Sequence, residues 1–147
     1  MRLKITAALL AGLAAATATF SVAQADNVIQ QRQARMKEMG AQMKVGADMA
    51  KGTIAFDSAK AAEIFKSLQT NMDGFVALFP PGSDKGETKA PENVWTDRAG
   101  FEAAAASFEK SVADGVANGA ADEASFKTAF AAAGEGCRSC HQTFKNR

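Results

Sequence analysis

From Asp26 to the C-terminus, apolar residues return at every third or fourth position, and no alternating run is long enough to lay down a strand. The pattern predicts four helices. The first opens at Asp26 and Asn27, both capping residue types, and runs to about Gly52 with Ile29, Met36, Met43 and Ala47 on one stripe. Arg32 and Gln33 share that stripe. Asp57 caps the second, whose inner face carries Ala61, Ile64, Phe65, Leu68 and Met72 before it frays at Asp73 and Gly74. The third starts near Thr96, places Phe101, Ala105, Phe108 and Val112 on one side, and weakens at Gly115 and Gly119. Asp122 caps the fourth, which has the clearest stripe: Phe126, Ala129, Phe130, Ala133, Cys137, Cys140, His141 and Phe144. This face is expected to be buried.

Between the second and third helices, "FPPGSDKGETKAPENV" (residues 79–94) collects all three prolines and has no helical period, so it reads as a long irregular connection. Connections of this length in compact domains are usually functional or mobile. Helices of roughly twenty residues, each about 30 Å long, with one apolar face apiece, predict an all-α antiparallel up-down-up-down four-helix bundle.

The first 25 residues have a different character. Arg2 and Lys4 precede an Ala/Leu-rich stretch over residues 5–20, and Ala23 and Ala25 form an A-x-A-like end, the pattern of a cleaved signal peptide. The Ala-rich run is too short and too weakly apolar for a membrane span. Residues 1–25 are therefore expected to leave, and residues 26–147 to fold as one exported domain with the periplasm as its compartment. Loss of Arg2 and Lys4 brings the basic count from 17 to 15 against 16 acidic residues. A chain so near neutrality offers no electrostatic footprint for nucleic acid.

Export sharpens the question raised by "CRSCH", residues 137–141, which holds both cysteines and the only histidine. An oxidising compartment closes a free exposed pair unless the sulfurs are already used. A redox dithiol belongs in a βαβ setting at a helix N-terminus, whereas this pair lies late in a helix, where the dipole disfavours a thiolate. Structural zinc draws on four ligands, commonly two separated pairs, and adjacent Cys140 and His141 point about 100° apart on a helix. C-x-x-C-H as a c-type haem attachment fits the mechanics. Cys137 and His141, four apart, stack on one face, and Cys140 stands on the adjoining flank. Two thioethers then hold the macrocycle edge while the imidazole meets the iron, and both sulfurs are consumed. A chance grouping of core residues leaves the clustering unexplained.

With one histidine, the sixth iron position falls to methionine, a weaker donor, water, a gas, or nothing. After leader removal the methionines are Met36, Met39, Met43, Met49 and Met72, most of them expected as packing residues. Met36 is set apart by its neighbours: Arg32, one turn earlier, is placed to pair with a haem propionate, and Gln33 to hydrogen-bond beside it. An ordinary solvated arginine fits position 32 equally well.

The chain resembles the class II c-type cytochromes, the cytochrome c prime family, over nearly all of residues 26–147. The resemblance rests on "RQARM" with "MG" at 32–40, "KG" at 51–52, "LFPPGS" at 78–83, "PENVW" followed by Asp97 and Phe101, and "CRSCHQTF" at the end. It implies an antiparallel four-helix bundle holding one haem c through Cys137 and Cys140, with His141 as proximal ligand and Arg32 and Gln33 approaching the propionates. Met36 matches the distal position. Family members with an aliphatic residue there are typically five-coordinate and bind small gases, whereas those with Met are low-spin electron carriers. Lys145, where many gas-binding members carry Arg, and Phe144, in place of a frequent Tyr, depart from the gas-binding pattern. The connection over residues 82–91 is expected near the haem edge through its backbone. The expected function is that of a periplasmic one-electron carrier serving redox partner proteins, not an enzyme, as a monomer or homodimer. The alternative is a five-coordinate protein that binds or buffers nitric oxide or carbon monoxide.

Overall fold

The structure, a computed structural model, describes residues 22–146. Five α-helices follow in order: α1 (Val22–Ala50), α2 (Ser58–Met72), α3 (Asn93–Thr96), α4 (Arg98–Asn118) and α5 (Glu123–Phe144), with a 3₁₀ turn at Phe75–Leu78. The four long helices form the expected antiparallel bundle. α1 packs on α2, α2 on α4, α4 on α5, and α5 closes the ring against α1. No helix among the described residues is long and apolar enough to cross a membrane. The expected leader lies outside the described residues except for its last four positions.

Three aspartates start helices as their side chains dictate. Asp57 accepts from Lys60 N–H at 2.8 Å, Asp97 from Gly100 N–H at 3.1 Å and Asp122 from Ser125 N–H at 2.7 Å. The third long helix therefore begins at Arg98 rather than Thr96, because Asp97 breaks away from the single turn of α3 to cap it. Asp26 and Asn27 do not cap α1. The helix is already under way at Val22, and Asn27 Oδ1 accepts from Gln31 one turn on. α1 ends as expected, with Gly52 in the left-handed region at φ 75°.

Gly115 and Gly119 do not weaken α4; they let it approach α2. A β-carbon at either would stand 2.3 Å from the ring of Phe65, which is fully buried. Phe65 meets Phe126 edge-on at a centroid distance of 6.0 Å. At the other end of the bundle, Phe79 joins Phe75 at 5.3 Å and Phe101 at 4.8 Å, and Phe101 meets Phe144 at 5.4 Å.

The seam between α1 and α5 is also set by glycine. A β-carbon on Gly46 would stand 2.2 Å from the Phe130 ring, and one on Gly134 would lie 3.8 Å from Met43 Cε. Three residues along α1 thus correspond to four back along α5, an antiparallel register. Seven residues further from the Met43–Gly134 level, two turns along each helix, stand Met36 and His141.

Irregular as it is, the connection after Leu78 is bonded throughout. Ser83 is fully buried and Trp95 Nε1–H donates to Pro80 O at 3.0 Å. Arg98 donates to Phe79 O and Val76 O, each at 3.1 Å.

Candidate haem site

A cleft of about 270 Å³ opens between α1, α4 and α5. Met36, Met39, Gly40 and Met43 line it from α1, and Phe101, Ala105 and Phe108 from α4. Gly134, Gly136, Cys137, Cys140 and His141 form the α5 side, with Met72 and Phe75 completing the wall. The sequence-predicted Met36, Cys137, Cys140 and His141 are therefore brought together across one apolar space.

The α5 stripe is not buried along its whole length, as its periodicity had implied. Phe126, Ala133 and Phe144 are buried, Cys137 and Cys140 are half-buried, and His141 is exposed. Glycines explain the opening. Nothing stands within 4 Å of where a β-carbon on Gly40 would be, so at that position α1 leaves the space between its methionines unfilled. A β-carbon on Gly136, by contrast, would meet Phe108 Cδ2 at 2.8 Å, which lets α4 and α5 close beside the cysteines.

The electrostatics suit attachment better than redox cycling. Neither cysteine is tied up in a disulfide. Burial pushes the Cys137 thiol up, the neighbouring Cys140 adding to it, and burial pushes Cys140 up as well. A dithiol oxidoreductase needs the opposite shift. Desolvation, and after it the positive charge of Lys145, pulls the His141 imidazole down, which keeps a neutral nitrogen lone pair available to a metal. No group of three or more His, Cys, Asp or Glu side chains that could hold an ion by themselves occurs among the described residues. Zinc is poorly served, whereas an iron that arrives inside its own macrocycle needs only axial ligands.

The donor set and the cradle both fit a haem. Small-molecule sites occupy roughly 300–1,000 Å³, and this cleft lies near the lower limit with one side open to solvent at His141. Its lining is thioether, aromatic and glycine, with the two thiols and the imidazole on one wall.

Arg32 and Gln33 do not line the cleft. Arg32 is 4% exposed and donates to the 78–91 connection. Nη2–H groups reach Ser83 O and Thr88 Oγ1 at 2.8 Å, and Nη1–H groups reach Leu78 O and Ser83 Oγ at 3.3 Å. The guanidinium also lies 4.6 Å from the Phe79 ring centroid and 5.7 Å from that of Trp95. Gln33 Nε2–H donates to Glu87 O at 2.6 Å. Sequence reading missed this connection's role as Arg32's acceptor set. The fragment "LFPPGS" holds three of its acceptors, but their pairing with residue 32 is not local. It also missed Met39, Met43 and Met72 as cleft residues, because a period assigns a face but not what lies opposite.

The family model described as Cytochrome C' matches residues 27–145. The chain is 34% identical over 146 residues to a cytochrome c-556 of Agrobacterium fabrum, covering 99% of this chain and 97% of that protein. It is 35% identical over 144 residues to a cytochrome c' of Rhodopseudomonas palustris, with 97% of each chain covered. The crystal structure of cytochrome c' from Rubrivivax gelatinosus superposes with a TM-score of 0.75 at 35% identity, over 83% of this chain and 97% of that one. With so much of its length matched in sequence and in fold, the chain belongs to the cytochrome c' family of class II c-type cytochromes and, like the members of that family, carries one covalently attached haem c.

Proposed function

We propose that the protein is a one-electron carrier in which Cys137 and Cys140 hold the haem covalently, His141 is the proximal ligand and Met36 the distal one. The observation that carries this reading is the α1–α5 register. Met43 Cε lies 3.8 Å from the β-carbon position of Gly134, seven residues before His141, and Met36 stands seven residues before Met43 on the antiparallel α1, which supports Met36 as the methionine opposite the histidine. Met39 and Met72 are buried in the core, which suits packing.

When bound, the haem supplies a ferric/ferrous couple. The chain's own contribution is to hold that couple with little rearrangement. A thioether donor and an apolar surround both favour the ferrous form, and two ligands on rigid helices remain in place in either state. Arg32 and Gln33 are read as standing on the propionate side. Arg32 has only its Nε–H uncommitted, so a carboxylate there would take a single bond and not a bidentate pair. No substrate is transformed in this reading, and the partners are redox proteins that meet the open edge at His141. Residues 1–25 are read as the export leader, which assigns the protein to the periplasm.

The rival reading, a five-coordinate protein that binds nitric oxide or carbon monoxide, is favoured by the apolar lining that Phe75, Phe101 and Phe108 give the cleft. Visible absorption of the holoprotein, ferric and ferrous, with and without carbon monoxide, separates the two. The carrier reading expects sharp low-spin bands that the gas leaves unchanged. A broad high-spin spectrum that shifts with the gas would transfer the assignment to the rival.

A further inference from the structure

The connection between the second and third long helices bonds to both of the helices that carry the facing walls of the cleft, α1 before Met36 and the end of α5 beyond His141. On α1 it is held by Arg32 and Gln33, one turn before Met36: Arg32 takes Leu78 O, Ser83 O, Ser83 Oγ and Thr88 Oγ1, and Gln33 takes Glu87 O. On α5 it is held just beyond His141. Asn93 Nδ2–H donates to Thr143 O at 3.0 Å, and Asn146 N–H donates to Lys89 O at 2.8 Å. Residues 78–93 thus form a strap from one helix to the other, anchored within a turn of each candidate axial ligand.

Four of the five N–H groups of a buried guanidinium are used in the α1 anchor, and its plane lies against Phe79 and Trp95. Among the described residues no carboxylate of the chain pairs with Arg32, so within the polypeptide its charge is met by carbonyl and hydroxyl dipoles of the strap and by the two rings. Desolvation lowers the Arg32 pKa, as such burial should. An arginine in this setting can hold its position only while the strap is closed, because an open strap leaves a buried cation without acceptors. The coupling is therefore mutual: closed strap and seated Arg32 are one state.

We infer that Arg32 is a positioning residue: by latching the strap of residues 78–93 to α1 while Asn93 and Lys89 hold it to α5, it fixes the width of the cleft at the level of Met36 and His141 and so keeps the distal site closed to exogenous ligands. The inference rests on the reading of Met36 as distal ligand. A few tenths of an ångström decide whether a side chain on α1 reaches a ligand held from α5. A strap that crosses between the two helices at that height sets this separation more directly than the Gly46–Phe130 contact, which lies nearly three turns away along α1.

The test uses holoprotein throughout, with two readouts. One is tryptic cleavage within the strap at Lys85 and Lys89, both exposed, which reports local opening. The other is carbon monoxide binding to the ferrous protein. Arg32→Met is expected to accelerate strap cleavage at least tenfold and to raise carbon monoxide affinity by a similar factor. Thr88→Val, which deletes one 2.8 Å acceptor, moves both in the same direction by less and guards against a variant that fails to fold. Arg32→Lys keeps the charge without the fork and should behave like Arg32→Met. Gly115→Ala, a destabilised control whose strain falls on Phe65, leaves both readouts at the wild-type value, and Met36→Leu raises gas affinity with strap cleavage unchanged.

Faster cleavage with unchanged gas affinity, in a protein that responds to Met36→Leu, would overturn the strap's role, as would full recovery by Arg32→Lys. Should Met36→Leu itself leave gas binding unchanged, the distal-ligand reading fails first and the strap's control of it falls with it.

Discussion

Gly46 of α1 and Phe130 of α5 are packed so closely that a β-carbon on the glycine would stand 2.2 Å from the ring. That contact, with Met43 Cε 3.8 Å from the β-carbon position of Gly134, sets the register of the two helices that carry the candidate axial ligands. The choice of Met36 among the five methionines as distal ligand is a proposal that this register supports.

Replacement of Met36 by Leu is expected to open the distal side. The ferrous holoprotein then binds carbon monoxide about tenfold more tightly or better, because a bound thioether reduces apparent affinity by the fraction of molecules in which the site is open. Met43→Leu, seven residues along the same helix, conserves volume and is expected to leave the spectrum and the gas response unchanged. Optical titration of the two variants side by side makes the comparison. Equal effects would mean that the register does not select the ligand.

The attachment reading is checked by mass. Under denaturing conditions the wild-type polypeptide is expected to retain one haem. Cys137→Ala and Cys140→Ala are each expected to lower the yield of covalent product, and the double variant to lose it altogether. A double variant that still carried the added mass would place the bonds elsewhere, although Cys137 and Cys140 are the only cysteines in the chain.

Gly115→Ala tests the seam between α2 and α4. The new methyl would stand 2.3 Å from Phe65, which has no solvent-facing side into which to retreat. Alanine's better helix propensity offsets part of the strain, about 0.5–1 kcal/mol. Overpacking of this kind typically costs about 1–3 kcal/mol, so the net effect is destabilising and appears as a lower urea midpoint at unchanged slope.

The cap of α5 gives a pH dependence of known sign. Donation from the Ser125 backbone N–H, and after it from the Ser125 hydroxyl, holds the Asp122 carboxyl below the usual carboxylate range. A carboxylate with a depressed folded-state pKa contributes stability that is present above its unfolded value and lost as pH falls through the folded one. Asp122→Ala is therefore expected to lower Tm at neutral pH, and the gap from wild type to narrow in acid below the usual carboxylate range. Thermal melts of both proteins across pH check this. A gap that stayed constant with pH would place the effect outside the ionised cap.

Much was legible in the sequence because much was local. Apolar spacing of three and four gave the helices; Asp57 and Asp122 started two of them at the expected positions; and "CRSCH" announced a haem because its residues act within five positions of one helix. The start of α1 was misread because capping residues were taken at face value where the upstream chain is itself helical. The exposure of His141 was missed because periodicity assigns a face without showing that glycine leaves the opposite wall open.

By itself the sequence determined the all-α class, the number of long helices and the identity of the attachment motif, all properties of segments shorter than about thirty residues. Only the tertiary structure decided what Arg32 holds, how α1 lies against α5, and why Gly115 and Gly119 stand where they do. The physical reason is range. Arg32's acceptors lie 46 to 56 residues away along the chain, and the α1–α5 register depends on glycine-to-aromatic contacts between helices that a single-helix period cannot encode.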